Sequence, residues 1–259
     1  METVDPFEKQ HQKVLLLIPH QDDEICMLSM LHRHLVNEDT VKVVWAAVDG
    51  HAKLADIRKL ESQKAMQAVG VAKERLAFLD FPQLFLYEHI ADLVNTFSEI
   101  MRNFQPDIIY CPSYEGGHLD HDTVHYCTVQ AAAKGVASVV VLEFPLYNNN
   151  EKQGLMKRIP RFGRFLAGDV DPYVYLLSRV EIQRRKQWWR LYKSQTWLFN
   201  LLIFLSGSGS EFWSKEQVRR IPSNDYTRPP HSGVLNYECN FPQHFTDFRA
   251  AVMKYEESL

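Results

Sequence analysis

Glycine is missing from Met1 to Val48. That excludes the Gly-rich phosphate turn which a nucleotide-binding Rossmann domain places after its first strand. The four cysteines, Cys26, Cys111, Cys127 and Cys239, show no C-x-x-C spacing. Neither a disulfide framework nor a cysteine-ligated zinc is therefore expected, and most of them read as small buried apolar residues. The polar N-terminal stretch, Met1 to Lys13, lacks the apolar core of a secretion signal. The longest strongly apolar run, Trp197 to Leu205, is interrupted by Asn200 and is far too short to span a bilayer. A net charge of −3 gives no broad pull toward nucleic acid or an anionic membrane. The expectation is a soluble cytoplasmic protein with no membrane span and no nucleic-acid partner.

What is present begins with the apolar run Val14 to Ile18, too short for a buried helix and read as a buried strand. Pro19-His20-Gln21-Asp22-Asp23-Glu24 follows, and then a helical pattern with Ile25, Leu28, Leu31, Leu35 and Val36 on one face. A histidine and three acids thus sit at the carboxyl edge of a strand, where open α/β sheets hold their ligands. Capping also favours acids at a helix start, where the helix dipole lets Asp22 and Asp23 both stay ionised. A second cluster, Gly116-Gly117-His118-Leu119-Asp120-His121-Asp122, follows the strand-like run ending at Cys111 and precedes a helix from Val124 to Lys134. Capping alone does not explain two such clusters at equivalent edges.

Strand and helix patterns alternate through the first 145 or so residues. Strands are expected at Val41 to Val48, Leu76 to Leu79, Asp107 to Cys111 and Ser138 to Glu143. The helix Ala52 to Val69 should turn Leu54, Ile57, Leu60, Ala65, Ala68 and Val69 inward and end at Gly70. This alternation argues for a three-layer Rossmann-like α/β fold with a mainly parallel sheet and an irregular C-terminal extension. A single domain over 1–259 is expected, with a core of about 13–145 and a part, 146–259, completing the substrate cleft. Asn148 to Arg164 reads as a long basic loop, Tyr173 to Leu177 as a strand, Val180 to Tyr192 as a helix and Ser206 to Ser210 as a loop. Pro242 to Glu257 reads as a last helix docked on the sheet's flank. The strand before each cluster must neighbour the other, since crossover order reverses between them.

A catalytic zinc keeps three protein ligands and one open position. His20, Asp23 and His121 supply two imidazoles and a carboxylate from two strand edges. Zinc acidifies bound water and polarises a carbonyl laid against it. Asp22, beside the ligand Asp23, is then placed as general base. His118 is placed to stabilise an oxyanion or protonate the departing amine, and Asp120 to orient His118 or His121. Together these parts describe metal-assisted hydrolysis of an amide. Iron(II) oxygenases share the two-histidine, one-carboxylate set, and the sequence does not exclude Fe2+; the additional Asp22 and His118 suit hydrolysis better.

Pro-His-Gln-Asp-Asp-Glu and Gly-Gly-His-Leu-Asp-His together resemble the LmbE/PIG-L family of zinc-dependent N-deacetylases. Weaker matches extend along the chain at Asp49-Gly50, Arg58-x-x-Glu61, Lys186 with Tyr192-x-Ser194-Gln195, and Glu211-x-Trp213. The resemblance implies an LmbE-like fold, with Zn2+ on His20, Asp23 and His121, Asp22 as base and His118 as acid or oxyanion partner. It implies removal of an N-acyl group, most simply acetyl, from an amino sugar or glycoconjugate, and leaves room for a homo-oligomer. Asp49 and Arg58 become candidate substrate contacts, with a helix-surface salt bridge to Glu61 or Asp56 as the plainer role for Arg58. Gln21 departs from the family's proline and loses its stiffening of the turn without touching a ligand. Trp188 and Trp189 could stack on a sugar face, but an aromatic pair on a helix belongs more often to the core. The alternatives are an amidase acting on a larger amide such as a thiol conjugate, and a non-catalytic Rossmann-like binding domain.

Overall fold

Val14 to Ile18 have no exposed surface at all, on either face of the strand they form. A strand covered on both sides belongs in a parallel sheet between two helical layers, and the computed structural model shows that arrangement. It describes residues 4–135, 138–150, 152 and 154–259. Met1 to Thr3 of the polar N-terminal stretch, and residues 151 and 153 of the expected basic loop, lie outside the described residues.

The first half runs β1 (Lys13–Ile18), α1 (Leu28–Val36), β2 (Thr40–Val48), α2 (Ala52–Val69), β3 (Leu76–Pro82), α3 (Ile90–Phe104), β4 (Ile108–Pro112), α4 (Leu119–Gly135) and β5 (Val140–Phe144). These strands are parallel, in the order β3-β2-β1-β4-β5. β1 pairs with β4, Leu15 opposite Ile109, so the expected neighbours are neighbours. Alternate residues of β1 feed two cores. Val14, Leu16 and Ile18 pack on the side of α1 and α2, while Leu15 and Leu17 meet α3 and α4 on the other.

The second half is more regular than its sequence suggests. It contains β6 (Tyr147–Asn148), β7 (Arg161–Phe162), β8 (Tyr173–Leu176), α5 (Arg179–Trp189), α6 (Thr196–Ser206), α7 (Gly209–Ser214), β9 (Lys215–Arg220), α8 (Asn236–Asn240) and α9 (Phe245–Glu256). β9 and β8 extend the sheet beyond β5 in antiparallel sense, giving seven strands. β6 and β7 form a small separate hairpin. α5 packs with α1 and α2, and α9 with α3 and α4. Trp188 and Trp189 are buried in the first of these layers.

Two local expectations are corrected. In α2 the buried face is Ala55, Glu61, Ser62, Ala65, Met66 and Val69, whereas Ile57 and Leu60 are exposed. Glu61 is drawn inward because it accepts from the Ser194 amide (2.9 Å) and hydroxyl (2.6 Å). The helix after the first cluster does not begin at the acids. Asp23–Cys26 form a short 3-10 turn, and α1 starts only at Leu28. Its first amides, Ser29 and Met30, donate to Glu216 of β9 (2.9 and 2.7 Å). The helix dipole is therefore not what balances Asp22 and Asp23.

Candidate metal and catalytic site

β1 and β4 end side by side, so the turns that follow them open at one edge. His20 leaves the first turn, and His118 and His121 enter from the start of α4. His121 Nε2 lies 3.2 Å from Asp23 Oδ1, and His20 Nδ1 lies 3.3 Å from Asp23 Oδ2. The donor atoms of His20, Asp23 and His121 all fall within 4.8 Å of one another, and all three side chains are buried. His20 Nε2 is engaged elsewhere, 2.9 Å from Asp120 Oδ2. That leaves Nδ1 as its free donor, the carboxylate–histidine arrangement that orients a metal ligand.

The set fits a divalent cation. Both ring nitrogens of His121 are buried without a hydrogen-bond partner, although Nε2 stands next to a carboxylate. Orphaned buried nitrogens are uncommon unless something outside the protein meets them. A second group, His20, His118 and Asp120, is equally compact. There Asp120 already accepts from the amides of Leu84 (2.8 Å) and Leu86 (3.4 Å) as well as from His20. Its lone pairs are committed, which favours the group built on Asp23.

Burial and charge divide the acids. Burial alone would raise Asp23, but His121 and His20 overcome it and hold the carboxyl below its ordinary range. Asp22 is pushed up to about 8, by burial first and then by its neighbour Asp23. Burial pulls His20 down, yet Asp23 and Asp120 outweigh it and bring it to about 10. His118 falls to about 3, through burial and the charge of His20. Its Nδ1 accepts the Asp120 amide (3.1 Å), so the ring proton sits on Nε2.

The first turn is held under strain. Asp22 has φ 125° and ψ −18°, a conformation that costs a non-glycine residue about 1–3 kcal/mol. Its amide donates to Glu24 Oε2 (2.9 Å), which also accepts from Trp45 Nε1 (3.1 Å), while Glu24 Oε1 accepts from Tyr192 (2.7 Å). Gln21 donates to the Ala47 carbonyl (2.8 Å) and so anchors the turn to β2.

A cavity of about 380 Å³ opens over this cluster, lined by His20, Asp22, Asp23 and His118. Arg58 lines it too and pairs with Asp49 (3.5 Å), not with Glu61 or Asp56. The scattered weaker sequence matches are thus spatial partners: Arg58 with Asp49, Glu61 with Ser194, Tyr192 with Glu24. Asp120 meets His20, a partner 100 residues away, through its side chain, whereas to His118 Nδ1 it donates its amide and holds its carboxylate 3.9 Å away. Sequence reading missed Glu24 as the hub of the turn. It also missed Tyr147, whose ring stands edge-on to His121 at 5.2 Å. Gly117 makes that approach feasible, since any Cβ there would overlap the Tyr147 carbonyl.

Residues 15–132, which include both clusters, match the family model PIG-L, GlcNAc-PI de-N-acetylase. The match covers 118 of the 259 residues, a little under half of the chain. The likeness of fold reaches beyond it. A deacetylase from the teicoplanin biosynthesis pathway, solved as a bog complex, aligns with a TM-score of 0.61 at 15% identity, covering 82% of this chain and 99% of that one. The N,N'-diacetylchitobiose deacetylase of Pyrococcus horikoshii aligns at 0.56 and 19% identity, covering 85% and 87%. The 4-carboxy-2-hydroxymuconate hydratase of Pseudomonas putida aligns at 0.51 and 14%, covering 83% and 99%. No curated protein sequence matches the chain. At these identities the solved structures establish a shared fold, and the segment matched by the PIG-L model carries every His and Asp of the two clusters.

Proposed function

We propose that this protein is a metal-dependent hydrolase that removes an N-acyl group, acetyl in the simplest case, from an amino sugar or glycoconjugate. The observation that carries the reading is the convergence of His20, Asp23 and His121 within 4.8 Å, with Asp22 and His118 lining the same cavity. The PIG-L match and the deacetylases among the structural neighbours support it. His20, Asp23 and His121 would hold the ion, zinc by donor type and Fe2+ as the other candidate. A bound divalent ion supplies Lewis-acid polarisation of the amide carbonyl and lowers the pKa of water.

The remaining chemistry falls to side chains. Asp22 takes a proton from the attacking water as the new C–O bond forms. His118 presents Nε2–H to the carbonyl oxygen as negative charge develops there. The C–N bond breaks as a proton reaches the departing nitrogen, giving the carboxylate and the free amine. Asp120 keeps His20 in one orientation throughout.

We read the chain as one domain whose 146–259 part completes the cleft, a view supported by Phe162, Phe199, Leu202, Asn236 and Phe241 on the cavity wall. Cytoplasmic action is supported by the four unpaired cysteines. Acetate release from a panel of N-acetylated sugars, sugar nucleotides and glycolipid head groups tests the reading. Turnover of at least one class by the metal-loaded protein, abolished in Asp22→Asn, is the expected result. Inactivity across the panel, with turnover of larger thiol-conjugate amides instead, would move the substrate to that class.

A further inference from the structure

Helix α6 is apolar in eight of its eleven residues, and the protein covers only one side of it. Phe199, Leu202 and Ile203 pack inward against the core of the first helical layer. Trp197, Leu198, Leu201, Phe204 and Leu205 are exposed, with Trp197 at 76% and Phe204 at 80%. A helix that is apolar all round requires apolar surroundings on its outer face as well. With eleven residues α6 is about 16 Å long, and no helix among the described residues is long and apolar enough to cross a membrane. An interfacial helix, lying in the plane of a bilayer with Trp, Phe and Leu immersed, meets the requirement without spanning.

Charge decides between a bilayer and a second copy of the chain. Residues 148–205 contain eleven lysines and arginines against four acids inside a chain whose net charge is −3; setting aside Arg185, buried against Glu216, and Arg164, paired with Glu211, leaves nine against four, a surplus of five. The chain-wide sum hides this segregation. Arg190 and Lys193, both exposed, precede α6, and Arg158 lines the same cavity mouth as Leu198. In a two-fold dimer built on α6 the same patch meets itself, and the basic segments of both copies would be brought together. An anionic bilayer complements them instead, with basic residues at the headgroups and the apolar ones below.

We infer that α6, with the basic residues flanking it, is a docking surface for an anionic lipid bilayer. Leu198 is both exposed and part of the cavity wall, so the cavity opens at the docked face. This assignment stands independently of the reaction proposed above.

The test is co-sedimentation of the full-length protein with phosphatidylcholine/phosphatidylserine vesicles and with phosphatidylcholine alone, alongside tryptophan emission and oligomer mass. Wild type should bind the anionic vesicles with a blue-shifted emission and bind less at high salt. Trp197→Ser with Phe204→Ser should lower the partition coefficient about tenfold or more, with thermal stability retained because both side chains are exposed. Arg190→Glu with Lys193→Glu should weaken binding to anionic vesicles while leaving α6 intact. Wild type remaining in the supernatant with every vesicle overturns the inference, as does partition that is indifferent to both double variants. A concentration-dependent dimer that Trp197→Ser with Phe204→Ser dissociates would make a second copy the occupant, and would overturn it too.

Discussion

Asp22 and Asp23 are adjacent in the chain and opposite in state. Both are buried, but Asp23 has His121 and His20 against it, whereas Asp22 has Asp23. The first environment suits a permanently ionised ligand and the second a base that exchanges protons. Because the Asp22 carboxyl is raised, its base form appears only as pH increases, so activity should climb with pH on the acid side. Asp22→Asn keeps the shape and removes the basicity. Metal content should hold, kcat should fall by roughly two to four orders of magnitude, and the acid limb of the pH–rate profile should disappear. His121→Ala tests the ligand set separately. Elemental analysis should find the metal lost, and chelator should lower the melting temperature of wild type but not of this variant, since only wild type gains stability from the ion. Undiminished metal in His121→Ala would remove His121 from the ligands.

At the scale of elements, β9 is the segment whose chemistry is least like its environment. Glu216, Gln217 and Arg219 are buried within it, each with a polar partner. Glu216 caps the first amides of α1 and lies 3.2 Å from the buried Arg185 guanidinium. Arg219 donates to Glu143 of the neighbouring strand at 2.7 Å. Glu216→Ala leaves Arg185 buried and short of its counter-charge, and two helix amides without acceptors. Urea unfolding should show a loss of about 3–5 kcal/mol, and Glu216→Gln, which keeps an acceptor, a smaller one. A loss below about 1 kcal/mol would mean that water reaches Arg185.

For the molecule as a whole, the site depends on the loop after β5 lying across the start of α4. Glu115 makes that joint, accepting from the amides of Leu146 and Tyr147 at 2.8 Å each. Burial raises its carboxyl from 4.5 to about 7. An acid raised in the folded state binds its proton more tightly there than in the unfolded chain. Its contribution is therefore complete below pH 4.5 and lost as pH rises through about 7, a span worth up to about 3 kcal/mol. Between pH 5 and 8 the stability of wild type should fall relative to Glu115→Gln, whose amide does not titrate. Parallel pH dependences in the two proteins would show that Glu115 is ionised throughout.

What the sequence determined by itself is local. The apolar run before His20 can only be a covered strand, helical patterns mark α4 and α9, and two His/Asp clusters behind two such strands already name the residues that meet. Proximity followed from topology, because a reversed crossover places β1 beside β4. Partner choice did not follow, since it depends on distances across the chain. Asp120 sits between His118 and His121 in sequence but bonds His20, and Glu24 reads as a capping acid but joins Trp45, Tyr192 and the Asp22 amide. β9 stayed hidden because a strand buried by ion pairs shows no apolar alternation. The inward face of α2 was misread because hydrogen bonds to a segment 133 residues away draw in Glu61, while Ile57 and Leu60 face outward. Apolar burial leaves a periodic trace in the chain that undergoes it; a polar pair is written half in each of two distant segments, and only the folded structure brings the halves together.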